Sequence, residues 1–428
     1  MKASILFAVV VLAVASARAQ GGSVVRIAKA ADGSFQLVCD GKPFSIHGVG
    51  GTQHLEQLAQ LGGNSLRTWG IDSLEETVDG KPLLQRAEEL QLKVTAGIWV
   101  QHERHGFNYS DEANLKKQRD AVRAAVRKYR HEPALLVWGL GNEMEGPADR
   151  GDDARVWKEL NVLAGIVKEE DPNHPVMTVI AGASAPKVKA VLANYPNIDI
   201  LGVNAYAGAA GVGGAVVAAG WEKPFILTEF GPRGHWEVPK TSWGAPVEPS
   251  SWEKARTYLA AQSLVRENGK GLCLGSYAFL WGNKQETTAT WYGMFLDSGE
   301  KLPSVDAVSY GWTGHWPANR SPQIERFESP AKEKSLSPGA TSTATVTATD
   351  PERDPLTVNW EIVAESTDTK VGGDKESAPP SFPDAIVARQ ESGVTFRAPQ
   401  QPGAYRLFVT VRDGKGGASK DNFAFLVK

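Results

Sequence analysis

The chain predicts an α/β architecture, a (β/α)8 TIM barrel followed by a small all-β sandwich. Three observations carry that expectation. Between residues 44 and 310, eight short apolar segments alternate with helix-like stretches. Two of the segments stop abruptly at a glutamate, Glu143 and Glu229. After Trp316 the texture changes to short alternating strands separated by turn clusters.

Taken in order, Lys2, the apolar run 5–15 and Ala17-Arg18-Ala19 before Gln20 predict a signal peptide over residues 1–19. That run is too short to span a bilayer, and no Cys follows the cleavage site to take a lipid. A secreted or periplasmic protein without a membrane span is expected. A hairpin follows: residues 35–39, the two-residue turn Asp40-Gly41, then Lys42-Pro43, expected to cap the bottom of the barrel. The eight strands fall at 44–49, 65–69, 93–100, 135–139, 176–180, 198–203, 225–228 and 272–279. Each is short, apolar and bounded by Gly, Pro or polar residues, as strands buried on both faces are. Helical periodicity runs over 55–61, 83–90, 114–129, 154–169 and 252–267. A doubly wound open sheet is the competing topology. It would carry a glycine-rich phosphate loop after its first strand, and Gly48-Val49-Gly50-Gly51 lacks that spacing. The barrel unit is expected over 20–316.

Residues 317–342 are rich in Pro, Ser, Glu and Lys and read as a linker with one edge strand at 323–327. The sandwich is expected over 343–428, with strands at 343–349, 356–362, 394–397, 405–412 and 423–427. Asp413-Gly414-Lys415-Gly416-Gly417 supplies one of its turns. Residues 364–383 show no periodicity and are expected to form an exposed loop.

The 428 residues suit one large domain and a smaller one, and 42% hydrophobic with 22% charged residues can bury a substantial core. A net charge of −3 argues against a dedicated nucleic-acid binder. The thirteen Trp residues, several near strand ends, offer faces on which sugars stack, although most Trp in any protein fills space. Cys39 and Cys273 are both expected at the barrel floor, as buried thiols or, less favoured, as a bridge. The eight His residues lack metal-ligand spacing, and no cofactor is expected. Asp350, Glu352 and Asp354 place oxygens at alternate positions that suit a structural Ca²⁺, a metal-free hairpin turn being the favoured alternative.

Glu143 ends Val137-Trp138-Gly139-Leu140-Gly141-Asn142-Glu143, and Glu229 ends Phe225-Ile226-Leu227-Thr228-Glu229. In a barrel both acids reach one rim. Two convergent carboxyls there are the minimal equipment for cleaving a glycosidic bond. One must be protonated, to give a proton to the leaving oxygen. The other must be ionised, to attack the anomeric carbon from roughly 5–5.5 Å away. A lone glutamate at a strand end is usually a solvated loop residue, so the weight rests on the pair. Asn142 is placed to hydrogen-bond a sugar hydroxyl. Arg67, in Asn64-Ser65-Leu66-Arg67-Thr68-Trp69, would hold a neighbouring carboxylate ionised, a structural ion pair being the alternative. Tyr206 would donate to the nucleophile and Trp281 would form the floor under the sugar, with plain packing the alternative for both. Trp69 and His102 complete the expected substrate-binding set, His102 being equally readable as a surface histidine. Trp99, Trp236, Trp243 and Trp291 are each a subsite platform or core.

The order and content of these residues resemble the retaining (β/α)8 glycosidases of clan A, which include glycoside hydrolase families 2 and 5. The stretch from Tyr129-Arg130-His131-Glu132-Pro133 through Trp138 to Asn142-Glu143 is similar to the strand-four region of family 2 catalytic domains. The resemblance covers residues 33–310. It implies Glu143 as acid/base, Glu229 as nucleophile, and Asn142, Arg67 and Tyr206 as their helpers. Family 2 enzymes usually carry sandwich domains before the barrel, and none fits into residues 20–43. Transfer of a galactosidase, glucuronidase or mannosidase specificity is correspondingly weakened. The C-terminal part resembles the immunoglobulin-like or cadherin-like modules of exported bacterial proteins, on Ala348-Thr349-Asp350-Pro351 and Val411-Arg412-Asp413-Gly414.

The expected function is therefore an exported retaining β-glycoside hydrolase acting on an oligosaccharide or polysaccharide. A β-glucan transglycosylase would use the same two glutamates. A non-catalytic glycan-binding or adhesion protein is the alternative of a different class, and it would leave Arg67, Asn142, Glu143 and Glu229 unexplained.

Overall fold

In the computed structural model, residues 21–145, 151–370 and 373–428 are described. The expected signal peptide lies outside them. Eight parallel strands close into a barrel: Ile46–Gly50, Ser65–Arg67, Lys93–Ile98, Leu135–Leu140, Val176–Ala181, Ile200–Asn204, Phe225–Phe230 and Cys273–Ala278. They are called strands one to eight below. Each neighbours its sequence successor, and strand eight pairs with strand one. All eight fall where the apolar segments predict them.

The barrel is filled rather than hollow. Tyr277 from strand eight reaches across the interior, its hydroxyl 2.9 Å from Ser65 Oγ and 2.6 Å from Thr95 Oγ1. Gly48 makes room for that ring, since a Cβ there would stand 2.3 Å from Tyr277 Cδ1. Below lies an antiparallel sheet of Val25–Lys29, Phe35–Cys39 and Lys42–Phe44. Its Asp40-Gly41 turn has positive φ at both residues, 51° and 78°, the geometry of a two-residue hairpin. The backbone N–H groups of Val25 and Phe35 donate to Asn173 O and Gly271 O, which precede strands five and eight. The hairpin therefore caps the floor as expected. Cys39 and Cys273 are both free thiols.

The helices form the outer layer. Asp111 caps Glu112–Tyr129, Asp153 caps Ala154–Glu170, and Ser250 with Glu253 forms a capping box on Ser251–Asn268. Three further helices, Ala185–Asn194, Val212–Ala218 and Pro303–Thr313, are absent from the sequence reading. Their Gly, Ser and Pro content masks the apolar period, and packing on the barrel compensates for weak propensity.

Two four-stranded sheets make up the C-terminal module. One orders Gln323–Glu328, Thr341–Thr349, Gly393–Arg397 and Ile386–Gln390. The other orders Ser335–Leu336, Ala418–Val427, Gly403–Arg412 and Thr357–Ala364. Their shared core includes Trp360, Phe396, Leu407 and Phe425. The module docks through polar contacts: Ser251 N donates to Asp421 Oδ1 (2.8 Å), Arg406 Nη2 to Pro246 O (2.9 Å) and Asn422 Nδ2 to Glu248 Oε2 (2.7 Å).

Asp350 Oδ1 accepts from the backbone N–H of Glu352 and of Asp354, and Glu352 pairs with Arg320 at 2.8 Å. Those carboxylates organise a turn, and no group of acids suited to a metal gathers among the described residues. The segment 364–383, expected as an exposed loop, is loop over most of its described length but is anchored at one point. Its Glu376 is buried, and Oε2 accepts from the backbone N–H of Thr287 at 2.6 Å, on the barrel loop after strand eight.

Candidate active site

The C-terminal ends of strands two, four, six and seven converge on one polar cluster. Arg67 ends strand two and is buried. Its Nη1 donates to Glu229 Oε1 at 2.9 Å and to Thr228 O at 3.1 Å, while Nη2 donates to Asn142 Oδ1 at 2.7 Å. One guanidinium fork thus fixes residues from strands four and seven together. Glu229 takes two more donors, Trp69 Nε1 on Oε1 at 2.8 Å and Tyr206 OH on Oε2 at 3.0 Å. Burial and the charge of Glu229 hold the Tyr206 phenol protonated, well above its usual range.

Strand four ends at Leu140, and the chain then turns through left-handed backbone at Gly141 (φ 71°) and Glu143 (φ 54°). Positive φ is uncommon for a glutamate and marks an over-determined position. The turn is pinned by Glu143 N donating to Val179 O at 3.0 Å. Asn204, the last residue of strand six, donates from Nδ2 to Glu143 Oε1 (2.8 Å) and Asn142 Oδ1 (3.1 Å). Its own Oδ1 accepts from Thr228 Oγ1 at 2.8 Å, which sets the amide orientation. Burial first, and the nearby Glu229 charge second, push Glu143 up to about 7, against the opposing Asn204 hydrogen bond.

The two carboxyls therefore sit in opposite environments. Glu229 accepts from a cation and two neutral donors. Glu143 has one amide donor, a dry setting and a negative neighbour, and so keeps its proton near neutral pH. That division is what acid/base chemistry on two carboxyls requires.

Of the residues expected to bind substrate, Arg67, Asn142, Tyr206 and Trp69 are gathered here. Trp281 is not. Its side chain is 1% exposed, packs against Phe295 with centroids 5.0 Å apart, and donates Nε1 to His54 O at 3.3 Å. It belongs to the core, packed against Phe295 and Trp312. Phe279, at the end of strand eight, takes the place beside the cluster, edge-on to Trp69 (5.8 Å) and Tyr206 (6.1 Å). His102 is buried below Trp99 (4.9 Å) and makes no hydrogen bond to either glutamate. Burial, then Arg104 and His105, push it down to about 4, so it is neutral at physiological pH. Trp291 is core, whereas Trp99 and Trp236 are exposed, Trp236 standing edge-on to Tyr206 at 5.8 Å. Asn204 is missed from the sequence, although a polar residue closing the apolar run 198–203, two positions before Tyr206, is a usable signal.

No family model matches the chain. A β-glucuronidase of Sus scrofa is 25% identical over 187 residues, covering 40% of this chain and 26% of that protein. The structure is similar to a Bacteroides uniformis β-glucuronidase, with TM-score 0.50 and 13% identity over 94% of this chain and 48% of the other. It is also similar to a β-D-glucuronidase of Dictyoglomus thermophilum, TM-score 0.50 and 13% identity over 68% of this chain and 54% of that one. The structural likenesses concern the fold. The chain spans about half the length of the two solved structures and about a quarter of the curated relative.

Proposed function

We propose that the chain is a β-glycoside hydrolase that cleaves an oligosaccharide or polysaccharide by retaining double displacement. Glu143 is the acid/base and Glu229 the nucleophile. The observation that carries this reading is the contrast just described, a protonated Glu143 beside a Glu229 held by Arg67, Trp69 and Tyr206. In the first step the proton of Glu143 passes to the glycosidic oxygen as its bond to the anomeric carbon breaks. A Glu229 oxygen forms the new bond. In the second step water loses a proton to Glu143 while its oxygen takes the anomeric carbon, and Glu229 departs as a carboxylate. Arg67, Trp69 and Tyr206 stabilise that departing charge. Asn142 has its carbonyl oxygen committed to Arg67 and Asn204, which leaves its NH2 to a sugar hydroxyl.

Likeness to proteins named β-glucuronidase supports a β-linked substrate. Residues 1–19 support export to the periplasm or medium. Proton NMR of the first-formed anomer during hydrolysis of a β-glycoside tests the mechanism. The β-anomer is expected first. The α-anomer appearing first rejects a glycosyl-enzyme, and failure to turn over any β-glycoside rejects the hydrolase.

A further inference from the structure

We propose that residues 373–376 of the C-terminal module form the end wall of the sugar cleft and restrict cleavage to chain ends. This rests on the hydrolase reading above. The segment touches the barrel rim at two places. On the loop after strand eight, Lys284 Nζ donates to Gly373 O at 2.7 Å and Thr287 N donates to Glu376 Oε2 at 2.6 Å. On the loop after strand three, His105 Nε2 lies 3.7 Å from Asp374 Oδ2. In the closed strand order, strands one and two lie between eight and three. Residues 373–376 therefore bridge the loops after strands eight and three at the C-terminal rim, the strand-eight loop being tied in turn through Thr288 and Thr290 to Glu248 on the loop after strand seven.

The wall is fixed. Glu376 is 4% exposed, and its second oxygen accepts from Lys370 N at 3.0 Å, so one carboxylate ties the module's loop to itself and to the barrel. It also stands close to the chemistry. Lys284 lies 5.7 Å from the centre of the Phe279 ring, Phe279 meets Trp69 edge-on, and Trp69 donates to Glu229. A chain of contacts thus runs from Gly373 to the nucleophile.

Direction follows from the two acids. Glu143 gives its proton to the leaving group, so the leaving part of the substrate lies on the strand-four side. The sugar that becomes attached to Glu229 extends the other way, past Trp69 and Phe279 towards the loops after strands eight and three. There it meets Trp69, Phe279, the Lys284–Glu286 pair (2.6 Å) and then residues 373–376. A wall at that place would stop a chain from continuing past a terminal sugar.

The test follows reducing-end-labelled β-linked oligosaccharides with the full chain, Glu376→Ala and Asp374→Ala. Wild type is expected to release single unlabelled sugars and leave the label on a shortening chain. Glu376→Ala is expected to raise the ratio of internal to terminal cuts by about tenfold and to raise KM for an aryl monosaccharide. If Glu376→Ala fails to fold, the exposed Asp374→Ala reads the same ratio, with about a threefold rise expected. Wild type that cuts internally, or folded variants with an unchanged product pattern, overturns the end wall alone. Wild type inert on every β-glycoside overturns the hydrolase reading and the wall with it.

Discussion

Asn204 donates to Glu143 Oε1 across 2.8 Å from the same nitrogen that serves Asn142 Oδ1. A strand-six amide thus fixes the position of the strand-four acid and tempers the rise in its proton affinity that burial and Glu229 impose. Because the bond favours the ionised carboxyl, its loss moves Glu143 further up.

Activity is expected to fall as pH rises through about 7, where Glu143 loses the proton it must donate. In Asn204→Ala the alkaline limb moves to higher pH. In Glu229→Gln the negative neighbour is gone and Glu143 titrates lower, which carboxyl-carbon NMR can follow. An alkaline limb unmoved in Asn204→Ala contradicts this assignment.

Glu143 also opposes stability at neutral pH. A carboxyl whose folded pKa is raised contributes stability below its unfolded value and loses it as pH rises through the folded one. Glu143→Gln is therefore expected to stabilise the protein by roughly 1–3 kcal/mol above pH about 7, and by little at pH about 4. Urea melts at the two pH values check it.

Arg67 holds Glu229 and Asn142 with the two ends of one fork. Arg67→Lys keeps the charge but not the fork, and kcat is expected to fall about 10²–10³-fold with a smaller change in KM. Steady-state kinetics on an aryl β-glycoside distinguishes this from simple unfolding when paired with a melt.

Trp281, expected as a sugar floor or a packing residue, is buried, whereas Trp236, readable as platform or core, is exposed. Trp281→Ala should destabilise by about 3–5 kcal/mol, as buried large-to-small changes do. Trp236→Ala, at 57% exposure, should leave the melting temperature unchanged and raise KM for longer oligosaccharides.

Glu248 is buried at the junction of barrel and module, accepting from Lys254, Thr288 Oγ1, Thr290 Oγ1 and Asn422 Nδ2. Burial works against its charge, but Lys254 and Arg406 prevail and hold its pKa low. Lys254→Ala strands that carboxylate and is expected to cost about 3–5 kcal/mol at neutral pH, and less once acid protonates Glu248. A denaturant midpoint that does not move contradicts it.

The barrel was legible because strands buried on both faces are short continuous apolar runs, and a closed parallel sheet needs eight of them in series. Glu143, Glu229, Arg67 and Tyr206 were legible because each follows or ends such a run. Trp281 was not, since the direction of a ring beyond strand eight depends on backbone geometry that no spacing encodes. Nor was the return of residues 373–376 to the rim. That segment lacks periodicity because Glu376 organises it through the backbone N–H groups of Lys370 and Thr287, rather than through an apolar face.

The most direct test of the central claim is azide rescue of Glu229→Ala and Glu143→Ala on an activated aryl β-glycoside. The division of roles predicts an α-glycosyl azide from Glu229→Ala, formed by attack into the vacated nucleophile position. It predicts a β-glycosyl azide from Glu143→Ala, formed on the intact glycosyl-enzyme. Reversed products, or full activity in either variant without azide, would contradict it.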